Sequence, residues 1–366
     1  MKHCLSAFVL AALMISCQKN PPPQPPATPA TTYIAGAFPN GDFTTRACYW
    51  KDSVLVPMDP ALPAPEQSYL ATGIAQIGTT IYTCGYRTHT QTGENKIVFW
   101  ANGKEFPIDE HGLPVYPGIP NDLFAVGNTL YMVGELQIAG QPAKPFFWTN
   151  KNTWEIDDVL SSKNASSATS GCVADNKLYI SGYSAGEDDL ALPCYWVAGV
   201  RTMLPMPTGV LTATASGIVV VNGVVHICGT GTNDIGRNVP LYWKDGKLSS
   251  LNIPGSAPQG LANSIDVLEG DVYIAGAEAG SGTDVIACFW KNGQLNKLSK
   301  IEGGFGSKAT AIRVTKGLVY VAGNADLRTA FYPVIWKNGV MSKPQLPASP
   351  GYTGIYGVAT KMILSK

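Results

Sequence analysis

A closed ring of seven four-stranded antiparallel blades, an all-β seven-bladed β-propeller, is the fold this sequence predicts, and three observations predict it. A Gly is followed 13 to 15 residues later by a Trp seven times over: Gly36/Trp50, Gly85/Trp100, Gly134/Trp148, Gly182/Trp196, Gly229/Trp243, Gly276/Trp290 and Gly323/Trp336. A spacing of 46 to 50 residues between copies marks one supersecondary unit repeated along the chain. The residue before each repeat Trp is also large and apolar (Tyr49, Phe99, Phe147, Tyr195, Tyr242, Phe289, Ile335), so both faces of that strand must be buried. Blades wedged between two neighbours meet that need, and a two-layer sandwich with one wet face does not. Finally, the first copy begins at Tyr33 with what should be its second strand, while the tail Thr353–Ala359 has the pattern of the inner-strand segments Thr72-Gly73-Ile74 and Thr310-Ala311-Ile312. The C-terminal strand is therefore expected to complete the first blade, which closes the ring and removes open sheet edges.

In chain order, residues 1–16 read as a secretory signal peptide. Lys2 is the charged start, Leu5 to Ile15 the apolar run, and Ser16 the small residue before Cys17. The run falls short of the about 20 residues that a spanning helix needs. Leu13-Met14-Ile15-Ser16-Cys17 resembles a bacterial lipobox, which implies cleavage before Cys17 and lipidation of that residue. Gln18 stands where inner-membrane retention wants Asp, so the resemblance implies an outer-membrane lipoprotein, facing either the periplasm or the cell surface. Residues 17–32 form the lipidated Cys and a tether: six of the nine residues Pro21–Pro29 are proline. Such a composition favours polyproline II, a semi-rigid spacer of roughly 3 Å per residue. The propeller is assigned to 33–366.

The sixth copy shows how a blade is built. Ser264 to Leu268 is a strand pattern, Glu269-Gly270-Asp271 a turn, and Val272-Tyr273-Ile274-Ala275-Gly276 a second strand rich in β-formers. A polar loop, Glu278 to Thr283, leads to a third strand over Val285–Trp290. Asn292-Gly293 then makes a tight hairpin, since both residues tolerate positive φ, and Gln294 to Leu298 is the fourth strand. The turn recurs as Asn102-Gly103, Asp245-Gly246 and Asn338-Gly339. Tyr33, Tyr82, Tyr131, Tyr179, Tyr273 and Tyr320 lie three before the repeat Gly, a fixed place that assigns them to packing between blades rather than to a sugar-stacking ladder.

The units Tyr273-Ile274-Ala275-Gly276 and Cys288-Phe289-Trp290-Lys291-Asn292-Gly293 resemble the repeats of uncharacterised secreted or lipid-anchored bacterial propellers. The likeness covers Tyr33 to Lys366 and implies a fold without an activity. The paired glycines of kelch repeats, the Gly-His and Trp-Asp of WD repeats, and sialidase Asp boxes do not occur.

Charges balance at 26 against 26, which excludes nucleic-acid binding, where a basic excess is the rule. Cys48, Cys194 and Cys288 lie two before the repeat Trp, and Cys84 and Cys228 one before the repeat Gly, where other copies carry small or apolar residues. They are expected to be buried hydrophobes too far apart to form disulfides. No zinc-ligand spacing exists among His89, His111 and His226, so no metal or other cofactor is expected. A monomer is expected, touching the membrane through its lipid anchor alone.

In each blade the first-to-second and third-to-fourth turns share one rim and are short. The other two connections share the opposite rim and are long, and loops on a rigid scaffold are where binding function concentrates. Pro57–Tyr69 and Asp109–Asp122 are the longest, both flanking the second blade. Candidate ligand contacts on that rim are Tyr69, His111, Tyr116 and Asp122 from these loops, with Arg87 and His89 from the second blade. Asp188 and Asp189 in the fourth blade, Asp234 and Arg237 in the fifth, and Asp326 and Arg328 in the seventh complete the set. No catalytic residue is assigned. Three functions stay open: a non-enzymatic binding module for a glycan, peptide or protein; a carbohydrate-active hydrolase or lyase with acids at the channel mouth; and a structural scaffold.

Overall fold

The computed structural model describes residues 30–40, 44–59, 66–106, 117–150, 164–253, 259–279, 285–327, 331–347 and 357–365. Seven antiparallel sheets follow one another along the chain, and the strand Val358–Ser365 joins Thr31–Pro39 in the first of them. From the axis outward the first blade is Val358–Ser365, Thr31–Pro39, Thr45–Lys51 and Val54–Pro57; the sixth is Gln259–Leu268, Asp271–Ala279, Val285–Lys291 and Gln294–Lys297. The inner strands of blades two, three, four, five and seven are Gln67–Ile77, Gly118–Val126, Ser166–Ala174, Val210–Val221 and Gly306–Thr315. Blade three shows three described strands. Residues 151–163, where the sequence repeat places the fourth, lie outside the described residues. The fold is a closed seven-bladed β-propeller.

The repeat Trp and Gly each have a physical reason. Trp50, Trp100, Trp196, Trp243, Trp290 and Trp336 are among the largest fully buried side chains. A buried indole must place its N–H, and here it donates to the linker leaving the preceding blade: Trp243 to the Pro205 carbonyl (2.8 Å), Trp290 to Asn252 (2.9 Å), Trp336 to Ser299 (2.9 Å). Trp50 makes the same bond to Gln345 at 2.8 Å, so the rule survives the ring closure. The Gly answers a close approach. A Cβ on Gly276 would lie 1.8 Å from the Leu261 carbonyl oxygen, and one on Gly36 1.9 Å from that of Val358.

The turn residues are chosen for more than φ. Asn102, Asn292 and Asn338 sit at φ 48 to 49°. Their side-chain oxygens also accept the N–H groups of Ile81 (2.9 Å), Val272 (2.9 Å) and Val319 (2.8 Å), which satisfies the start of the second strand.

Several elements depart from the sequence expectation. Second strands run further toward the long-connection rim than their β-formers suggest, so Arg87 and His89 lie on Thr80–His89 and Glu278 on Asp271–Ala279 rather than in loops. Glu278 is buried there, and Lys297 Nζ from the fourth strand neutralises it at 2.6 Å. The closing strand also has a different register. Thr360-Lys361-Met362, not Thr353-Gly354-Ile355, is the equivalent of Thr72-Gly73-Ile74, because Thr360 holds the bulge described below. Residues 353–356 lie outside the described set.

His226 takes the repeat Tyr place, buried, with Nδ1 2.8 Å from the Tyr242 hydroxyl. Burial, helped by Lys244, holds its pKa below the ordinary imidazole value. The unfolded chain therefore binds a proton more readily than the folded one, and stability is lost as pH falls below about 6.5. His226→Tyr, which restores the repeat residue, should remove this component. Urea unfolding at a series of pH values from 7.5 to 5, all about evenly spaced, should show the variant gaining on the parent as acid is added; parallel curves would refute the assignment.

Candidate functional site

Every inner strand carries a bulge at the same place, and the bulged residue is small and polar: Thr72, Asn121, Thr169, Ser216, Asn263, Thr310 and Thr360. A bulge re-aims its side chain, here sideways to the next blade. Asn121 Nδ2 donates to the Ala168 carbonyl (2.8 Å), Thr169 to Ala215 (2.5 Å), Asn263 to Ala309 (2.8 Å), Thr310 to Ala359 (3.0 Å) and Thr360 to Ala71 (2.8 Å); Thr72 bonds Pro120 in the same way. Between blades five and six the link changes hands, with the Ala262 N–H donating to Thr230 Oγ1 at 3.0 Å. The result is a polar girdle around the axis. Sequence reasoning missed it, though a Thr, Ser or Asn stands 13 residues before each of the repeat glycines from Gly85 to Gly323.

Beyond the girdle, toward the short-hairpin rim, the inner strands enclose a cavity of about 280 Å³. Asp122, one residue past its bulge, is 2% exposed. Its Oδ2 accepts from Ser170 Oγ (2.7 Å) and Lys361 Nζ (2.7 Å), with the Gly171 N–H at 3.4 Å, while Oδ1 is buried without a partner. Lys361 thus reaches from the closing strand of blade one past blade two, where the equivalent residue is Gly73, to blade three. Two residues nearer the rim lie Asp266 and Arg313. Asp266 accepts the Val267 N–H (3.0 Å) and the Val314 N–H (2.8 Å), and Arg313 Nη1 donates to its neighbour's carbonyl, Ile312, at 2.7 Å.

The described residues among those proposed from sequence do not converge. Asp122 is a correction in position: it belongs to the strand Gly118–Val126 and points into the channel assembly, not into a rim loop. Tyr69 is buried in the packing between the first two blades, its hydroxyl donating to Gln67 Oε1 at 3.0 Å. His89 Nε2 lies 3.9 Å from Glu66. Asp188 and Asp189 are exposed, Asp188 accepting the Leu190 N–H of its own turn at 3.3 Å. Asp234 is exposed and Asp326 ends the strand Leu318–Asp326. Arg237 lines a groove of about 650 Å³ with Asn233, Pro240, Leu251 and Ile253. Cys17, His111, Tyr116 and Arg328 lie outside the described residues.

Among the described residues no arrangement suited to nucleophilic attack emerges. A Gly-x-Ser-x-Gly pattern occurs at Gly182-Tyr183-Ser184-Ala185-Gly186. It runs along the strand Lys177–Ala185 rather than a strand-to-helix elbow, and Ser184 is buried, accepting from Arg201 Nη1 at 2.6 Å. All six described cysteines are free thiols. Burial pushes Cys172, Cys194 and Cys228 up to about 12, which leaves no thiolate at neutral pH. Among the described residues no set of three His, Cys, Asp or Glu side chains converges on a metal-sized site.

The chain is therefore a closed propeller with a polar girdle, an axial cavity on one side of it and a grooved rim on the other. No family model matches it, and no curated protein does. Solved structures share the architecture at low identity. A puromycin hydrolase aligns at 10% identity and TM-score 0.50 over 89% of this chain and 55% of its own. AofleA of Arthrobotrys oligospora aligns at 14% identity and TM-score 0.45, covering 81% of this chain and 90% of that one. The SapL1 lectin, in complex with α-methyl fucoside, aligns at 13% and TM-score 0.43, covering 77% and 98%. Likeness at this level is one of fold, and it transfers no ligand.

Proposed function

We propose that the protein is a non-enzymatic binding module of the cell envelope, held on a lipid-anchored tether at Cys17, that engages a peptide or protein partner through its long-connection rim. The groove at Arg237 carries this reading. It pairs a guanidinium with apolar walls from Pro240, Leu251 and Ile253, and the Asp234 N–H to Gly209 carbonyl bond (3.2 Å) ties its loop to the linker entering blade five. Two exposed aliphatic side chains, Leu211 (49%) and Ile235 (66%), stand on that same stretch of rim. An apolar side chain with a nearby carboxylate is the chemistry such a surface accepts, whereas sugar recognition favours exposed aromatic faces. Against catalysis by paired carboxylates, Asp122 is ion-paired with Lys361 and Asp266 holds two backbone N–H groups.

The test compares envelope proteins retained by the immobilised full chain, by Arg237→Glu/Ile235→Asp, and by Val340→Asp on the short-hairpin rim. A partner bound by the parent and the Val340 variant but weakened about tenfold or more by the blade-five variant is expected. Equal retention by all three, or turnover of an envelope polysaccharide by the parent, counts against the reading.

A further inference from the structure

We infer that the axial cavity is a binding site for a small amphoteric molecule, an α-amino acid with an apolar side chain. Its volume of about 280 Å³ lies just below the roughly 300–1,000 Å³ range of small-molecule sites, which suits a small ligand. The floor is polar and its charges are paired: Asp122 Oδ2 holds Lys361 and Ser170 there, and Asp122 Oδ1 is left without a partner.

Two residues nearer the rim the charges are not settled. Asp266 of blade six and Arg313 of blade seven hold equivalent places on neighbouring inner strands, Asp266 pairing with Tyr273 and Arg313 with Tyr320. Both line the cavity, yet no ion pair joins them: Asp266 takes backbone N–H groups, and Arg313 uses a single N–H on the Ile312 carbonyl. A guanidinium has five N–H donors, and each carboxylate oxygen keeps a free lone pair. An anion and a cation side by side but unmated, in a half-enclosed space, match a ligand carrying one charge of each sign. Its carboxylate would sit on Arg313 in the fork geometry that guanidinium favours, and its ammonium would donate to Asp266. At the same level the remaining walls are apolar, with Phe124, Val219 and Ile363 from blades three, five and one, and Val126 stands two residues nearer the mouth. The ligand's side chain would lie across the cavity against these walls. Because this site lies across the girdle from the Arg237 groove, either one can fail without the other.

Calorimetric titration of the full chain with L-leucine, leucinamide and 4-methylpentanoate separates the charges. Leucine should bind, and removing its carboxylate or its ammonium should each weaken binding about tenfold or more. Arg313→Gln should weaken leucine by a similar factor while leaving the melting temperature of the unliganded protein within a few degrees of the parent. Three results overturn the inference: no heat and no thermal stabilisation by leucine at millimolar concentration; equal affinity for 4-methylpentanoate, which makes this a simple anion site; or unchanged leucine affinity in Arg313→Gln.

Discussion

A chain ending at residue 356, without the strand Val358–Ser365, is expected to show no cooperative unfolding transition. That strand supplies the inner position of blade one and pairs with Thr31–Ala37. Its loss exposes the edge of Thr31–Pro39 along the axis, where the main-chain groups have no other partner. It also removes Ala359 and Met362, both buried in the seam with blades one and seven, and truncating one buried Met alone costs about 2–5 kcal/mol. The girdle loses two links as well, since Thr310 bonds the Ala359 carbonyl (3.0 Å) and Thr360 bonds Ala71 (2.8 Å). At about 1 kcal/mol net per hydrogen bond these sums approach the whole stability of a domain, about 5–15 kcal/mol. The truncated chain should bind a hydrophobic dye and melt without a sharp transition, and a synthetic peptide of residues 357–366 should restore one. A truncated protein melting cooperatively within a few degrees of the parent would mean that the ring does not depend on its closure.

The sequence exposes those parts of the fold that are repeated and chemically distinctive. Gly276 and its six counterparts are legible because a Cβ would meet a carbonyl, so no other residue is admitted. The repeat Trp is legible because its bulk and its N–H are both used. The girdle is harder to see, since Thr, Ser and Asn serve equally as sideways donors and no single letter recurs. That tolerance is also why the sequence pattern places the closing strand in the wrong register: Thr353-Gly354-Ile355 and Thr360-Lys361-Met362 differ at the position after the Thr, which is free to be Gly73, Asp122 or Ser170 in other blades. The cavity is illegible for the same reason. Asp122, Asp266, Arg313 and Lys361 are departures from the repeat, each in a different blade, and no local pattern announces that they share one space. Loop length pointed to the opposite rim, where of the described candidates Arg237 lines a cavity.

Asp122→Ala should destabilise the protein by about 3–5 kcal/mol, the range for breaking a buried ion pair from one side. The Asp122 side chain is 3% exposed and that of Lys361 16%, so solvent screens the pair little. Removing the carboxylate leaves the Lys361 ammonium in the channel with no counter-charge, and strips Ser170 Oγ of its acceptor. Lys361→Met should cost a similar amount, about 3–5 kcal/mol, because it strands the more deeply buried charge with Ser170 and a 3.4 Å Gly171 N–H as its partners. The double variant Asp122→Ala/Lys361→Met should then be more stable than Asp122→Ala alone, since a Met in place of the lysine needs no partner. The interaction term from the four urea denaturation curves isolates the pair. Simple additivity would show that Lys361 finds its stabilisation elsewhere, and that the link from closing strand to third blade does not help to lock the ring.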